Sequence, residues 1–258
     1  MAKKTALVLS GGAARGFAHV GVINELDQMG IRPDMIVGTS AGAIIGGSLA
    51  SGLSIAELNS LAADAGYTNT MRPAVSLAGL LSTKPLDRLL RSRLPTTRFE
   101  EMKIPFAAVA YEIDNGKEAI LAGTGDAVVA IRASSAVPGI FVPVSDESGR
   151  RLVDGALSSP LPARAARDLG ADIVIAVDVI ACGATFRSSQ VSPLRVPMIA
   201  AMTLIRNLAA EQHRYADIVI APQIAHLRPD QIYKRDEFIS LGAEAAASMR
   251  ERILNVCG

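Results

Sequence analysis

Short apolar runs and longer helical patterns alternate along this 258-residue chain, and the alternation limits the folds open to it. Strands joined through helices lie parallel and are covered on both faces, so the pattern predicts an α/β fold with a mostly parallel central sheet flanked by helices. The first unit is Thr5–Leu9, an uncharged β-rich run that stops at the glycine-rich segment 10–16. Phe17, Val20, Ile23 and Leu26 then recur at helical spacing until Gly30 ends the pattern. Residues 34–37 read as the second strand, and the sharp segment Gly38-Thr39-Ser40-Ala41-Gly42 feeds a helix of small residues. Residues 104–113 and 117–121 flank Asn115-Gly116, a hairpin signal that predicts an antiparallel pair bordering the parallel core. Further strands are expected at 150–153, 172–179 and 217–221, and helices near 162–169, 197–210 and 237–254. The polar stretch 182–193 reads as a loop.

Composition narrows the function classes. With 50% hydrophobic and 20% charged residues the chain can bury a full core, and its length suits one domain over residues 1–258. Lys and Arg number 26 against 25 Asp and Glu, a net charge of +1 that offers no global field for nucleic acid. Cys182 and Cys257 have neither CxxC spacing nor companions for a metal cluster, which suits a reducing, cytoplasmic compartment without a structural disulfide. Lys3 and Lys4 precede an apolar run too short for a signal peptide. Residues 41–50 are interrupted by glycines and fall below the roughly 20 residues a bilayer span needs. The expectation is a soluble chain whose contact with membranes, if any, is peripheral.

The segment 38–42 matches the nucleophile elbow, in which glycines relieve crowding at a strained strand-to-helix turn and leave the serine exposed. The pentapeptide alone is a weak signal, but the strand before it and the helix after it supply the required setting, so Ser40 is the candidate nucleophile. Segment 10–16 places glycine-rich backbone at a helix N-terminus, where several N–H groups can point at one anionic oxygen. Such a loop serves either a nucleotide phosphate or the oxyanion of acyl transfer. A dinucleotide site expects an acid near the end of the second strand, where this chain has Gly38 and the elbow. GxGxxG and GxxxxGK[ST] spacings are absent as well, so the oxyanion reading is preferred.

A serine nucleophile needs a base, and the histidines are His19, His213 and His226. His19 reads as a packed or capping residue, His213 as solvated within a helical run, and His226 as part of a loop. The alternative is a carboxylate: Asp154 ends a strand and is followed by Gly155. An isolated Asp-Gly is commonly only a turn, and the residues by themselves leave both readings open.

Four blocks in order, residues 10–16, 38–42, 133–144 and 154–156, together resemble the patatin-like phospholipases, in particular small bacterial members similar to the catalytic domain of neuropathy target esterase. The resemblance covers residues 10–156; beyond it only general α/β character remains. It implies a patatin-like three-layer architecture and a Ser-Asp dyad, which makes Asp154 the expected base for Ser40. Gly11, Gly12 and Ala13 would give oxyanion N–H donors, with Arg15 close by to stabilise negative charge or orient the loop. Ala13 stands where the family often has a third glycine. Residues 133–141 are similar to the segment lining the family's site, which implies that Pro138 and Phe141 shape an acyl pocket; an ordinary buried loop is the competing reading. The implied activity is hydrolysis of phospholipids, lysophospholipids or other fatty-acyl esters, with no metal or organic cofactor. A non-enzymatic lipid- or acyl-binding regulator and a nucleotide-binding protein are the alternatives.

Residues 71–99 carry Arg72, Lys84, Arg88, Arg91, Arg93 and Arg98 against Asp87 alone, interleaved with Val75, Leu77, Leu80, Leu81, Leu86, Leu89 and Leu90. A basic amphipathic segment suits docking on anionic lipid or a mobile lid. Two ordinary helices with a solvated basic face are the plainer expectation.

Overall fold

A computed structural model describes residues 3–257 apart from 75, 77 and 181–194. Cys182 and the loop expected at 182–193 lie outside the described residues. The strands are β1 (Thr5–Leu9), β2 (Met35–Thr39), β3 (Arg72–Pro73), β4 (Gly79–Ser82), β5 (Phe106–Glu112), β6 (Lys117–Ala122), β7 (Gly139–Phe141), β8 (Val144–Ser145), β9 (Arg151–Asp154), β10 (Ile173–Val177) and β11 (Ile218–Ile220). The helices are α1 (Phe17–Gln28), α2 (Ala41–Ala50), α3 (Ile55–Asp64), α4 (Tyr67–Thr70), α5 (Lys84–Arg93), α6 (Ala127–Ser134), α7 (Ala163–Asp168), α8 (Arg195–Gln212), α9 (Arg235–Ala247) and α10 (Arg250–Cys257).

The main sheet runs β11-β10-β1-β2-β5-β9-β8, with β6 also on β5. The strands from β11 to β5 are parallel, and β6, β9 and β8 join antiparallel. β1 and β10 are buried along their whole length, which is why both read as unbroken apolar runs rather than alternating ones. Their side chains part by the two-residue period. Leu7, Leu9, Ile36, Ile175 and Val177 face a core shared with α1 and α9, whereas Ala6, Val8, Val37, Val174 and Ala176 face α7 and Ala209 of α8. The result is a three-layer α/β arrangement.

β6 pairs with residues 107–112 of β5, so β2 and β9 divide the other edge between them. Thr39 of β2 lies opposite Val109, and Asp154 of β9 lies opposite Ala110. Two strands running in opposite directions therefore meet at their C-terminal ends on consecutive residues of β5. A smaller sheet, β3-β4-β7, lies apart from this ladder.

The structure departs from the expected elements in two places. The helix expected over 237–254 is two helices, because Met249 N–H turns back to Ala246 O and Ser248 Oγ bonds Ala245 O, tightening the last turn of α9. Residues 71–99 hold β3, β4 and α5 rather than a pair of helices, since the two strands are too short to leave a readable period.

Phe238 of α9 is fully buried in the core that backs α1. Phe238→Ala is expected to lower the unfolding free energy by about 3–5 kcal/mol, read from urea denaturation. A loss below about 1 kcal/mol would mean that α9 is not integral to the core.

Candidate active site

Ser40 leaves the end of β2 at φ 54° and ψ −120°, and α2 begins at the next residue. That left-handed backbone is costly for a residue with a Cβ. The turn closes tightly: a Cβ on Gly42 would lie 2.2 Å from Leu9 O, so only glycine lets α2 start so near β1. Among the described residues the other non-glycine with positive φ is Ala13, at 50°. Both strained positions thus fall on the two loops that the sequence singled out.

The Ser40 side chain acts on the Asp154 carboxylate, which is only 3% exposed, and favours its ionised form. Asp154 Oδ1 also accepts from Ala156 N–H at 2.9 Å. Burial outweighs both influences and pushes the carboxyl up to about 6. Gly155 follows because the chain there lies against β5; a Cβ on it would sit 2.2 Å from Val109 O.

A segment at the end of α6 clasps both side chains through their backbones. Ser134 Oγ accepts from Ser40 N–H at 2.9 Å and donates to Val109 O at 2.5 Å. Ser135 Oγ donates to Ser40 O at 3.3 Å, and Ala136 O accepts from Asp154 N–H at 2.9 Å. Sequence reasoning quoted these serines without giving them a role. Their signal was available only as polar residues ending an otherwise apolar helix, Ala127–Ser134.

The glycine-rich loop is fixed from several sides. Ser10 Oγ accepts from Val179 N–H at 2.9 Å and donates to Gly11 O at 3.0 Å, while His19 Nε2 lies 2.8 Å from Ser10 O. Gly11 was expected among the oxyanion donors, but its N–H is committed to Pro160 O at 2.9 Å. Gly12 and Ala13 N–H have no hydrogen-bond acceptor among the described residues, and Ala41 N–H, in the first turn of α2, is a third such donor that sequence reasoning did not name. Arg15 is buried, with Nε and Nη2 donating to Leu227 O at 3.2 and 3.0 Å. Its guanidinium ties the loop to the chain near residue 227.

Each histidine is engaged elsewhere. His19 is fully buried, burial lowers its pKa to about 4, and Nδ1 has no partner among the described residues. His213 is not simply solvated, as its sequence context suggested: Nε2 lies 2.7 Å from the buried carboxylate of Asp178, which raises the imidazole pKa. His226 Nε2 pairs with Glu237 at 3.0 Å on the surface. Pro138 is half-buried, and Phe141 packs against the small cluster of Ala133, Ala136, Val144 and Leu152. Among the described residues no group of three or more His, Cys, Asp or Glu is placed to hold a metal, and no helix is long and apolar enough to cross a membrane.

The family model described as patatin-like phospholipase matches residues 7–167. An uncharacterized NTE family protein of Mycobacterium tuberculosis is 35% identical over 179 residues, covering 68% of this chain and 49% of that protein. Human patatin-like phospholipase domain-containing protein 6 is 30% identical over 181 residues, covering 67% of this chain but 13% of its own length. The chain thus matches about half or less of these relatives. VipD from Legionella pneumophila superposes with a TM-score of 0.58 at 12% identity, covering 98% of this chain and 67% of its own, a likeness of fold. The chain belongs to the patatin-like phospholipase family.

Proposed function

We propose that this chain is a serine lipid acyl hydrolase that cleaves carboxylic esters of phospholipids or lysophospholipids through Ser40 and Asp154. The observation that carries the reading is the convergence, on consecutive residues of β5, of the strained, half-buried Ser40 at the end of β2 and a desolvated carboxylate at the end of β9 whose pKa stands near 6. An ordinary aspartate, at about 3.9, is a poor proton acceptor for a hydroxyl, and the upward shift brings it nearer the range of a general base.

Asp154 takes the Ser40 proton as Oγ bonds to the ester carbonyl carbon, and the carbonyl π pair moves onto oxygen. Gly12, Ala13 and Ala41 N–H supply the oxyanion contacts, the last being the group that directly follows the nucleophile. Collapse breaks the carbon–oxygen bond of the ester, and the departing alcohol takes the proton back from Asp154. Water then loses a proton to Asp154 as it attacks the acyl carbon, and collapse breaks the bond to Ser40 Oγ, which takes that proton back from Asp154 as the fatty acid leaves. Gly11 and Arg15 act by shaping and tethering the loop. Pro138 and Phe141 border the dyad as walls of the acyl-binding region.

Ser40→Ala is expected to abolish reaction with a fluorophosphonate probe and to reduce ester hydrolysis by about a thousandfold or more while circular dichroism stays native. Activity within a few-fold of the parent protein would reject the nucleophile, and with it the hydrolase reading.

The base must be ionised, so kcat/KM toward a soluble ester should rise about tenfold per pH unit below 6 and level off above it. A profile flat from pH 5 to 8 would exclude Asp154 as the base.

Stability should run the other way. With a folded pKa near 6 and an unfolded one near 3.9, the folded chain holds this proton more tightly, so Asp154 weakens the fold as pH rises through that window. Two pKa units correspond to about 3 kcal/mol. Asp154→Asn keeps an acceptor for Ala156 N–H and carries no charge. It should be inactive yet more stable than the parent protein by about 1–3 kcal/mol at pH 7.5, with the gain gone at pH 4. A variant less stable at both pH values would show that the carboxylate is not under this strain.

A further inference from the structure

We propose that the outer face of the small sheet β3-β4-β7 is the surface by which the chain docks on anionic lipid bilayers. The proposal rests on the lipid-hydrolase reading for its choice of occupant, and it deepens that reading by naming the face that meets the membrane.

Register sorts the side chains. Leu81 lies opposite Phe141 and Gly79 opposite Gly139, so Leu81 and Phe141 share one face, with Phe141 packed inward. Leu80 and Ile140 share the opposite face, where they are 71% and 42% exposed, and Val137 nearby is 37% exposed. Arg72 pairs with Ser82 across the β3-β4 ladder and therefore stands on the outer face with Leu80. Lys84 begins α5 directly after this edge, and Arg88 follows one turn later on the same helix face.

The structure also divides the basic residues of this region. Arg91 pairs with Asp87 and Asp126, Arg93 with Asp64, and Arg98 with Glu100. Arg132 takes the remaining side of Asp87. Arg72, Lys84 and Arg88 are exposed and have no ion-pair partner among the described residues. The free positive charge of the segment thus sits on β3 and the start of α5, on either side of the strand that carries Leu80, whereas the rest of the segment is neutralised. Exposed apolar side chains flanked by cations suit the boundary between anionic headgroups and acyl chains.

Position supports the same occupant. Ile140 is five residues from Ser135 and so lies within about 17 Å of it, and Ser135 Oγ bonds Ser40 O directly. A bilayer seated there would bring ester groups to the mouth of the dyad.

The test measures co-sedimentation of Ser40→Ala protein with phosphatidylcholine vesicles and with vesicles that also contain phosphatidylglycerol. Binding to the mixed vesicles that weakens as salt is raised is expected. Leu80→Asp combined with Ile140→Asp should weaken it about tenfold or more, the scale of withdrawing one or two apolar side chains from lipid. Arg72→Glu combined with Lys84→Glu should erase the preference for phosphatidylglycerol. In protein with Ser40 intact, the apolar pair should slow hydrolysis of vesicular lipid and leave a soluble short-chain ester unaffected. If circular dichroism shows the aspartate variants unfolded, Leu80→Ser with Ile140→Ser is read in the same way. Vesicle binding that is absent, indifferent to headgroup charge at every salt concentration, or unchanged by the apolar pair would overturn the proposal. So would variants that only abolish self-association, which would make the face a contact between copies. Salt-dependent docking without any ester hydrolysis would leave this surface standing and remove the hydrolase reading alone.

Discussion

The peptide between Val109 and Ala110 is where the candidate site is set. Val109 lies opposite Thr39, the last residue of β2, and Ala110 lies opposite Asp154, the last residue of β9. Val109 O takes the hydroxyl of Ser134, and Gly155 is pressed against the same oxygen. Ser134 in turn holds Ser40 N–H. Ser40, the Asp154 carboxylate and the clasp between them are therefore referred to one stretch of backbone, held by ladders on both edges. Side chains placed in this way do not depend on loop conformation, which is what a reaction sensitive to a displacement of about an ångström requires.

The glycine-rich loop reaches the same place by a second route, through the ends of β1 and β10. Ser10 is held by Val179 N–H, Gly11 by Pro160 O, and Ser10 O by His19. Asp178, the residue just past the end of β10, accepts from Ile180 N–H at 2.8 Å with Oδ1 and faces His213 with Oδ2. Two buried polar systems thus flank the loop, one at His19 and one at Asp178. Near pH 7 His19 carries no proton charge, since burial keeps its pKa near 4, and so adds no positive field beside the N–H groups of Gly12 and Ala13. Their field comes from backbone N–H groups and the helix termini they belong to.

Much of this was legible in the sequence, and the limits have physical causes. Thr5–Leu9 and 38–42 were readable because buried parallel strands are continuous apolar runs and because an elbow needs small residues at fixed positions. The hairpin about Asn115-Gly116 was readable from its turn chemistry, and β5 and β6 pair there. The composition of Val153-Asp154-Gly155 could not show that Asp154 lies beside the end of β2, because that depends on the register of β9 on β5, a contact between residues far apart in the chain. Gly11 shows the same limit: a glycine in a donor loop offers an N–H, but whether Pro160 O has claimed it is a tertiary fact. The pairing of Asp178 with His213, and the division of arginines between paired and free, likewise arise only when distant segments meet.

The costs of the site are concentrated rather than spread. Positive φ at Ala13 and Ser40 and a desolvated carboxyl at Asp154 each oppose folding, and all three fall on the loops and strand ends of one region. They lie where the chain leaves β1, β2 and β9, and β1 and most of β2 are closed on both faces by helices. A strand buried in this way cannot relax its end without disturbing two cores, so strain at that end persists instead of dissipating into a mobile loop. Ligands in α/β sheets commonly gather at the carboxyl ends of strands for a related reason, since that edge combines rigid backbone with free N–H groups. Here the edge also holds a carboxylate that water cannot fully solvate. The unfavourable terms that would make a surface loop melt are retained because the sheet behind them is stiff, and they leave Ser40 and Asp154 facing each other with little reorganisation left to perform.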